Sequence, residues 1–184
     1  MKQRWALVVL GVWLMGSICT SIVATQNFYT VDRLLANQDG HGAFAAMVQK
    51  LGQPAARELL RYLSSELNRL YFQMWNAAQL ALGAIALWLL ADSRKQDAAF
   101  NCVAGMFAVV VLMLVYLTPA IVSLGRELDF VPRDPAPPGM SRFWVLHAAY
   151  TSLEMLKLAL GLLVAGLLAR RDRGLPSAST ARTA

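Results

Sequence analysis

The sequence predicts an all-α protein: a four-helix transmembrane bundle with an extracytoplasmic amphipathic helical extension. Three observations point there. Of 184 residues, 57% are hydrophobic and only 15% are charged, whereas a soluble domain carries about a quarter charged residues. Four apolar stretches, Trp5–Thr25, Leu70–Ala91, Ala98–Leu124 and Phe143–Ala169, each reach the ~20 residues a helix needs to cross ~30 Å of hydrocarbon. No ten-residue segment alternates apolar and polar side chains with period two, which excludes a transmembrane barrel. Residues 1–169 form one predicted membrane domain, with 26–69 as an outer loop and helix and 170–184 as a basic cytoplasmic tail.

The first stretch follows Lys2 and Arg4, as a secretion signal would, but it is longer than the ~7–15 apolar residues of such a signal. Ile22-Val23-Ala24 puts isoleucine where cleavage wants a small residue, and Ile18 before Cys19 is too bulky for lipoprotein processing. It is therefore predicted to stay as a membrane helix. Thr30–Gly42 is rich in turn residues, and Gly52-Gln53-Pro54 stops any helix formed by Ala43–Lys50. From Pro54 onward, Leu59, Leu60, Leu63, Leu67, Leu70 and Tyr71 recur at helical spacing, with Arg57, Glu58, Arg61, Ser65 and Asn68 on other faces. Pro54 suits the first helical position and no further breaker precedes Gly83, so Pro54–Ala91 is predicted as one helix of ~57 Å. The third stretch is closed by Gly125-Arg126-Glu127 and bent at Pro119, whose ring cannot take part in the helical hydrogen-bond ladder.

Charge sets the predicted orientation. With the N-terminus inside, Met1–Arg4, Asp92–Asp97 and Arg170–Ala184 carry eight Lys/Arg over 25 residues. The outer segments, Gln26–Arg69 and Gly125–Arg142, carry eight over 62. The positive-inside bias weighs short segments beside helix ends, and Arg170-Arg171-Asp172-Arg173 abuts the last stretch. This predicts a multi-pass protein of the cell inner (plasma) membrane with both termini cytoplasmic. The net charge of +6 calls for no nucleic-acid partner, because basic inner flanks face anionic lipid. Cys19 and Cys102 differ in predicted depth by roughly 15 Å, too far for a disulfide.

The polar residues inside the stretches carry the functional question. On the fourth, His147, Tyr150, Thr151, Glu154, Lys157 and Gly161 form one stripe; on the second, Arg69, Gln73, Asn76, Gln79 and Gly83 form another. The third adds Tyr116, Thr118 and Ser123, and the first adds Ser17, Thr20 and Ser21. Lipid penalises such groups, so the stripes are expected to face one another inside the bundle. The candidate ligand-binding residues are Glu154, Lys157, His147, Tyr150, Asn76, Gln79 and Tyr116. In one reading Glu154 and Lys157 merely neutralise each other and the amides bind helix to helix, each worth about 0.6–2 kcal/mol. In the other, the ionisable pair marks a solute, ion or proton site.

Other chemistry finds little footing. His147 is the only intramembrane histidine, so a haem would need a methionine such as Met140 or Met155 as its second ligand. His41, His147 and Met140 could meet outside and bind copper, but their spacing gives no support. No phosphate-binding loop, metal quartet or nucleophile motif appears. The expectation is a non-enzymatic protein with no metal or other cofactor. Trp5, Trp13, Trp75, Trp88 and Trp144 are read as an interfacial aromatic belt.

Gly11–Ser17 (GVWLMGS), Leu67–Tyr71 (LNRLY), Tyr116–Leu124 (YLTPAIVSL) and Phe143–His147 (FWVLH) occur in an order that resembles the small four-helix membrane family of transmembrane protein 205 and its bacterial relatives, a domain of unknown function. The likeness covers most of the chain, and Thr30–Ala56 is longer than the family's usual connection. The resemblance implies a helical membrane protein with no established reaction. Two functions are therefore expected to compete: small-solute or ion binding or permeation through the polar core, and a role as accessory subunit contacting membrane-protein partners through the 54–69 helix.

Overall fold

The computed structural model describes residues 1–37, 42–91 and 97–172. Among them every regular element is helical: α1 (Lys2–Ala36), α2 (Gly42–Leu51), α3 (Gln53–Leu90), α4 (Ala98–Leu112), a π-helical turn (Met113–Leu117), α5 (Thr118–Glu127) and α6 (Met140–Asp172). α4, the π turn and α5 follow one another without a gap. Four helices are thus long and apolar enough to cross a membrane: Lys2–Ala36, Gln53–Leu90, Ala98–Glu127 and Met140–Arg171. The chain is a multi-pass, all-α membrane protein.

The four spans close into a ring in which α1 packs on α3 and α6, and α4 packs on the same two helices. Three hydrogen bonds set the register of α1 on α3, joining Ala24 to Asn68, Ser17 to Trp75 and Trp13 to Gln79. Each step back along α1 matches an equal step forward along α3, so the pair is antiparallel. Inward positions recur every three or four residues, as at Ala99, Val103, Met106, Val110, Met113 and Leu117. The first four meet Leu10 and Trp13 of α1, Ala86 and Leu90 of α3, and Val164 and Leu168 of α6, while Met113 and Leu117 cluster with Tyr150 of α6. Val8, Val12, Met15, Val145, Leu162 and Leu163 point outward and are exposed. In water such a surface would drive aggregation; in hydrocarbon it carries no penalty.

Glycine permits the closest crossings. A Cβ on Gly83 would lie 2.6 Å from Phe107 Cδ2, and one on Gly16 would overlap the Trp75 indole. At the end of the bundle that holds the chain's N-terminus, Asp97 caps α4 by accepting from the Ala99 N–H at 2.9 Å. The same carboxylate takes both arms of the Arg171 guanidinium, at 2.6 and 2.8 Å, which ties the start of α4 to the end of α6. The Arg171 hydrogen bonds hold the Asp97 carboxyl below its ordinary range despite its burial. A depressed carboxylate stabilises the fold at neutral pH and loses that contribution only as acid protonates it.

α3 runs unbroken across Leu63–Leu70, as its propensities require, with Pro54 in its first turn. Two expectations change. The turn-rich reading of Thr30–Gly42 fails over Thr30–Ala36, where α1 continues as helix. Val31 and Leu35 bury against Val48 and Ala56, while Asp32 pairs with Arg57 at 2.9 Å and Arg61 at 3.3 Å. Tertiary partners override the local turn preference there; Gln38–His41 lie outside the described residues. The 26–69 segment is thus a helical hairpin, made of the ends of α1 and α3 with α2 between them, and Gly52 sits at φ 81° where α2 passes to α3. The second change is at Pro119. The distortion lies one turn earlier, as the π turn, because the carbonyls facing the missing proline N–H must find other donors.

Candidate functional site

Asn76 and Gln79, three residues apart on α3, share its inner face and are completely buried. Opposite them α6 presents Tyr150, Glu154 and Lys157, at four- and three-residue spacing. Lys157 is 2% exposed, so its ammonium depends wholly on protein partners. It donates to Glu154 Oε1 at 2.8 Å and to Gln79 Oε1. Gln79 Oε1 also accepts from Trp13 Nε1 of α1 at 3.0 Å. Gln79 Nε2 donates to Asn76 Oδ1 at 3.4 Å, and Asn76 Nδ2 donates to Thr118 Oγ1 at 2.9 Å. Tyr150 OH completes the set by donating to Asn76 Oδ1 at 3.5 Å. One hydrogen-bonded chain, started by the ammonium, joins all four spans.

The chain has one loose end. Glu154 Oε2 is buried and has no hydrogen-bond partner among the described residues. A carboxylate oxygen out of water and without a donor is costly.

Five of the seven predicted residues therefore meet: Glu154, Lys157, Tyr150, Asn76 and Gln79. Two do not. Tyr116 is 57% exposed and faces outward. The π turn inserts an extra residue, so Leu117 and Thr118 take the inward positions and Tyr116 is turned away. His147 is exposed, its ring stacked on Phe143 at 5.8 Å and edge-on to Trp144 at 6.1 Å. Phe143 occupies the inward place at that level, against Gly125, where a Cβ would lie 3.4 Å from the ring. Thr151 turns back to the His147 carbonyl at 3.0 Å instead of joining the core.

The haem and copper pairings find no geometric support. Met155 is exposed, the Met140 sulfur accepts from Arg133 at 3.3 Å, and His41 lies outside the described residues. No group of three or more metal-binding side chains forms among the described residues.

Sequence reasoning missed Trp13. It is 1% exposed and belongs to the network, while Trp75 donates to Ser17 Oγ at 3.3 Å. The position of Trp13, two helical turns past Trp5 and toward mid-span, could have separated it from an interfacial belt. The projecting hairpin was also missed as a polar assembly: Asn27 Nδ2 donates to Asn68 Oδ1 at 2.6 Å, and Arg69 bonds Glu66 and, at 2.8 Å, Asp129.

Thr118 has a second surface. With Gln73, Leu114, Pro119, Val122, Ser123, Arg126 and Glu127 it lines an open groove of about 650 Å³ between α3 and α5. A neighbouring hollow shares Gln73 and Arg126. Thr118 thus belongs both to the polar core and to the lining of the groove. The chain matches no family model, no curated protein and no solved structure, so its function must be argued from this geometry.

Proposed function

We propose that this chain is a non-enzymatic membrane protein whose polar core binds a small solute or ion at Glu154. The observation that carries the reading is the buried, unpartnered Glu154 Oε2 beside the Lys157 ammonium. The burial of Lys157, and of Gln79 and Asn76 linked to it by hydrogen bonds, favours the smallest species, a proton. Proton uptake at Oε2 turns the carboxylate into an acid that still accepts from Lys157 through its other oxygen. The same site could respond to pH without any solute crossing the bundle.

Infrared difference spectra of reconstituted protein test this. Beyond the carboxyl bands of the other acids, which both proteins share, the wild-type difference spectrum between alkaline and acid buffer should contain a carboxyl band that Glu154→Gln lacks. Identical wild-type and Glu154→Gln difference spectra would remove the ligand and leave a packing role.

A second reading, accessory subunit of a larger membrane complex, rests on the hairpin. Leu59 and Leu63 are each 54% exposed, and they stand ~40–47 Å along α3 from Leu90, beyond a ~30 Å hydrocarbon layer. Their surface suits a membrane-protein partner.

Both readings place the termini in the cytoplasm of an inner-membrane protein, supported by the denser Lys/Arg beside the short inner segments. Single cysteines at Gln38 and Ser177, both outside the described residues, should label from opposite sides. Labelling from the same side would contradict an even number of spans. The likeness to the transmembrane protein 205 family fits this arrangement and implies no reaction.

A further inference from the structure

The groove between α3 and α5 differs in chemistry from one end to the other. Leu114 and Val122 line its apolar wall, while Arg126 and Glu127 stand at its far end. Leu114 lies ~24 Å and Arg126 ~42 Å along the helix from Ala98. A hydrocarbon layer ~30 Å thick, with headgroups bringing the bilayer to ~40–45 Å, would therefore end between them. The groove crosses the boundary where an acyl chain meets its headgroup.

The charges at that boundary come in opposite signs. The Arg126 side chain is 61% exposed, and among the described residues its only ion pair is with Glu66 at 3.5 Å. Glu66 is already engaged by Arg69, which is engaged in turn by Asp129. Arg126 can therefore turn to a phosphate at little cost. Glu127 is exposed on the next position of the same helix. A purely anionic headgroup would satisfy the arginine and be repelled by the glutamate. A zwitterion satisfies both. Of the common zwitterionic headgroups, a primary ammonium can donate hydrogen bonds to a carboxylate and a quaternary ammonium cannot.

We propose that the groove binds a phospholipid with an ethanolamine-type headgroup, its phosphate on Arg126, its ammonium on Glu127 and one acyl chain along Leu114 and Val122. The site stands apart from the proton site at Glu154 and does not depend on it.

Native mass spectrometry of the protein released from nanodiscs containing equal phosphatidylethanolamine, phosphatidylcholine and phosphatidylglycerol tests the proposal. The ethanolamine lipid should be retained roughly fivefold over the other two, the scale of one charge-assisted hydrogen bond at a half-exposed site. Arg126→Gln should abolish retention of all three, and Glu127→Gln should erase the preference for ethanolamine over choline. Arg57→Gln, on the hairpin and outside the groove, should change neither. Equal retention of the three lipids, a preference for phosphatidylglycerol, or indifference to both groove variants would overturn the assignment. Because Arg126 and Glu127 are exposed, these variants should keep the fold, and their unfolding temperature checks that.

Discussion

Lys157→Met destabilises the bundle by about 3–5 kcal/mol, and Glu154→Leu combined with Lys157→Met recovers most of that loss. The asymmetry follows from the contacts. Lys157 is 2% exposed and its Glu154 partner 12%, so neither charge has water to fall back on. Removing the ammonium strands the Glu154 carboxylate, whose second oxygen already lacks a donor. Removing both charges leaves Gln79 with the Trp13 N–H on its Oε1, so no new orphan forms at the amide. Reversible unfolding in mixed micelles of the wild type, both single variants and the double variant completes a cycle that isolates the pair. A double variant as unstable as the two single losses added together would show that the charges do not interact.

Gly16→Ala should cost about 1–3 kcal/mol, the usual penalty for overpacking a filled interior. The added methyl falls within 3.0 Å of three atoms of the Trp75 ring. An indole cannot yield by a rotamer twist at its tip, as a leucine could, and this ring is also held by its N–H bond to Ser17. Moving it breaks that bond and reopens the α1–α3 seam. The control lies one and a half turns away: a Cβ on Gly11 meets nothing within 4 Å, so Gly11→Ala should be neutral or slightly stabilising through helix propensity. Unfolding midpoints of the two variants in the same detergent give the comparison. Equal effects would mean that the close approach at Gly16 does not constrain the bundle.

Much of this fold is legible in the chain because a bilayer simplifies the code. A run such as Ala98–Leu124 has few alternatives to a spanning helix, and backbone groups in hydrocarbon must be satisfied within it. The unbroken α3 follows from the absence of Gly and Pro between Pro54 and Gly83. The Tyr150–Glu154–Lys157 and Asn76–Gln79 faces were legible because helical periodicity predicts which side chains share a side. That logic fails where the period changes. The π turn shifts the register of the third span by one residue, sending Tyr116 outward and Thr118 inward, and nothing local to Met113–Leu117 announces it except Pro119. His147 shares the helical face of Glu154, but Phe143 holds the inward place at its level, a competition visible only once α5 is set against α6. The continuation of α1 past Thr30 depends on Arg57 and Arg61, more than twenty residues away along the chain.

The central claim is that Lys157 looks into the bundle and bridges α6 to α3. Its bond to Glu154 cannot test this, since residues three apart on one helix would pair on a lipid-facing side as well. The contact with Gln79 can. Solid-state NMR on bilayer-reconstituted protein, with isotope labels on lysine side-chain nitrogen and glutamine side-chain carbonyl, measures that distance directly. The Glu154→Leu, Lys157→Met double variant serves as the blank for the remaining lysines. The account predicts a strong dipolar coupling at hydrogen-bond range that vanishes in the blank. A spectrum unchanged by the double variant, with the Lys157 nitrogen coupled instead to lipid chain protons, would contradict it.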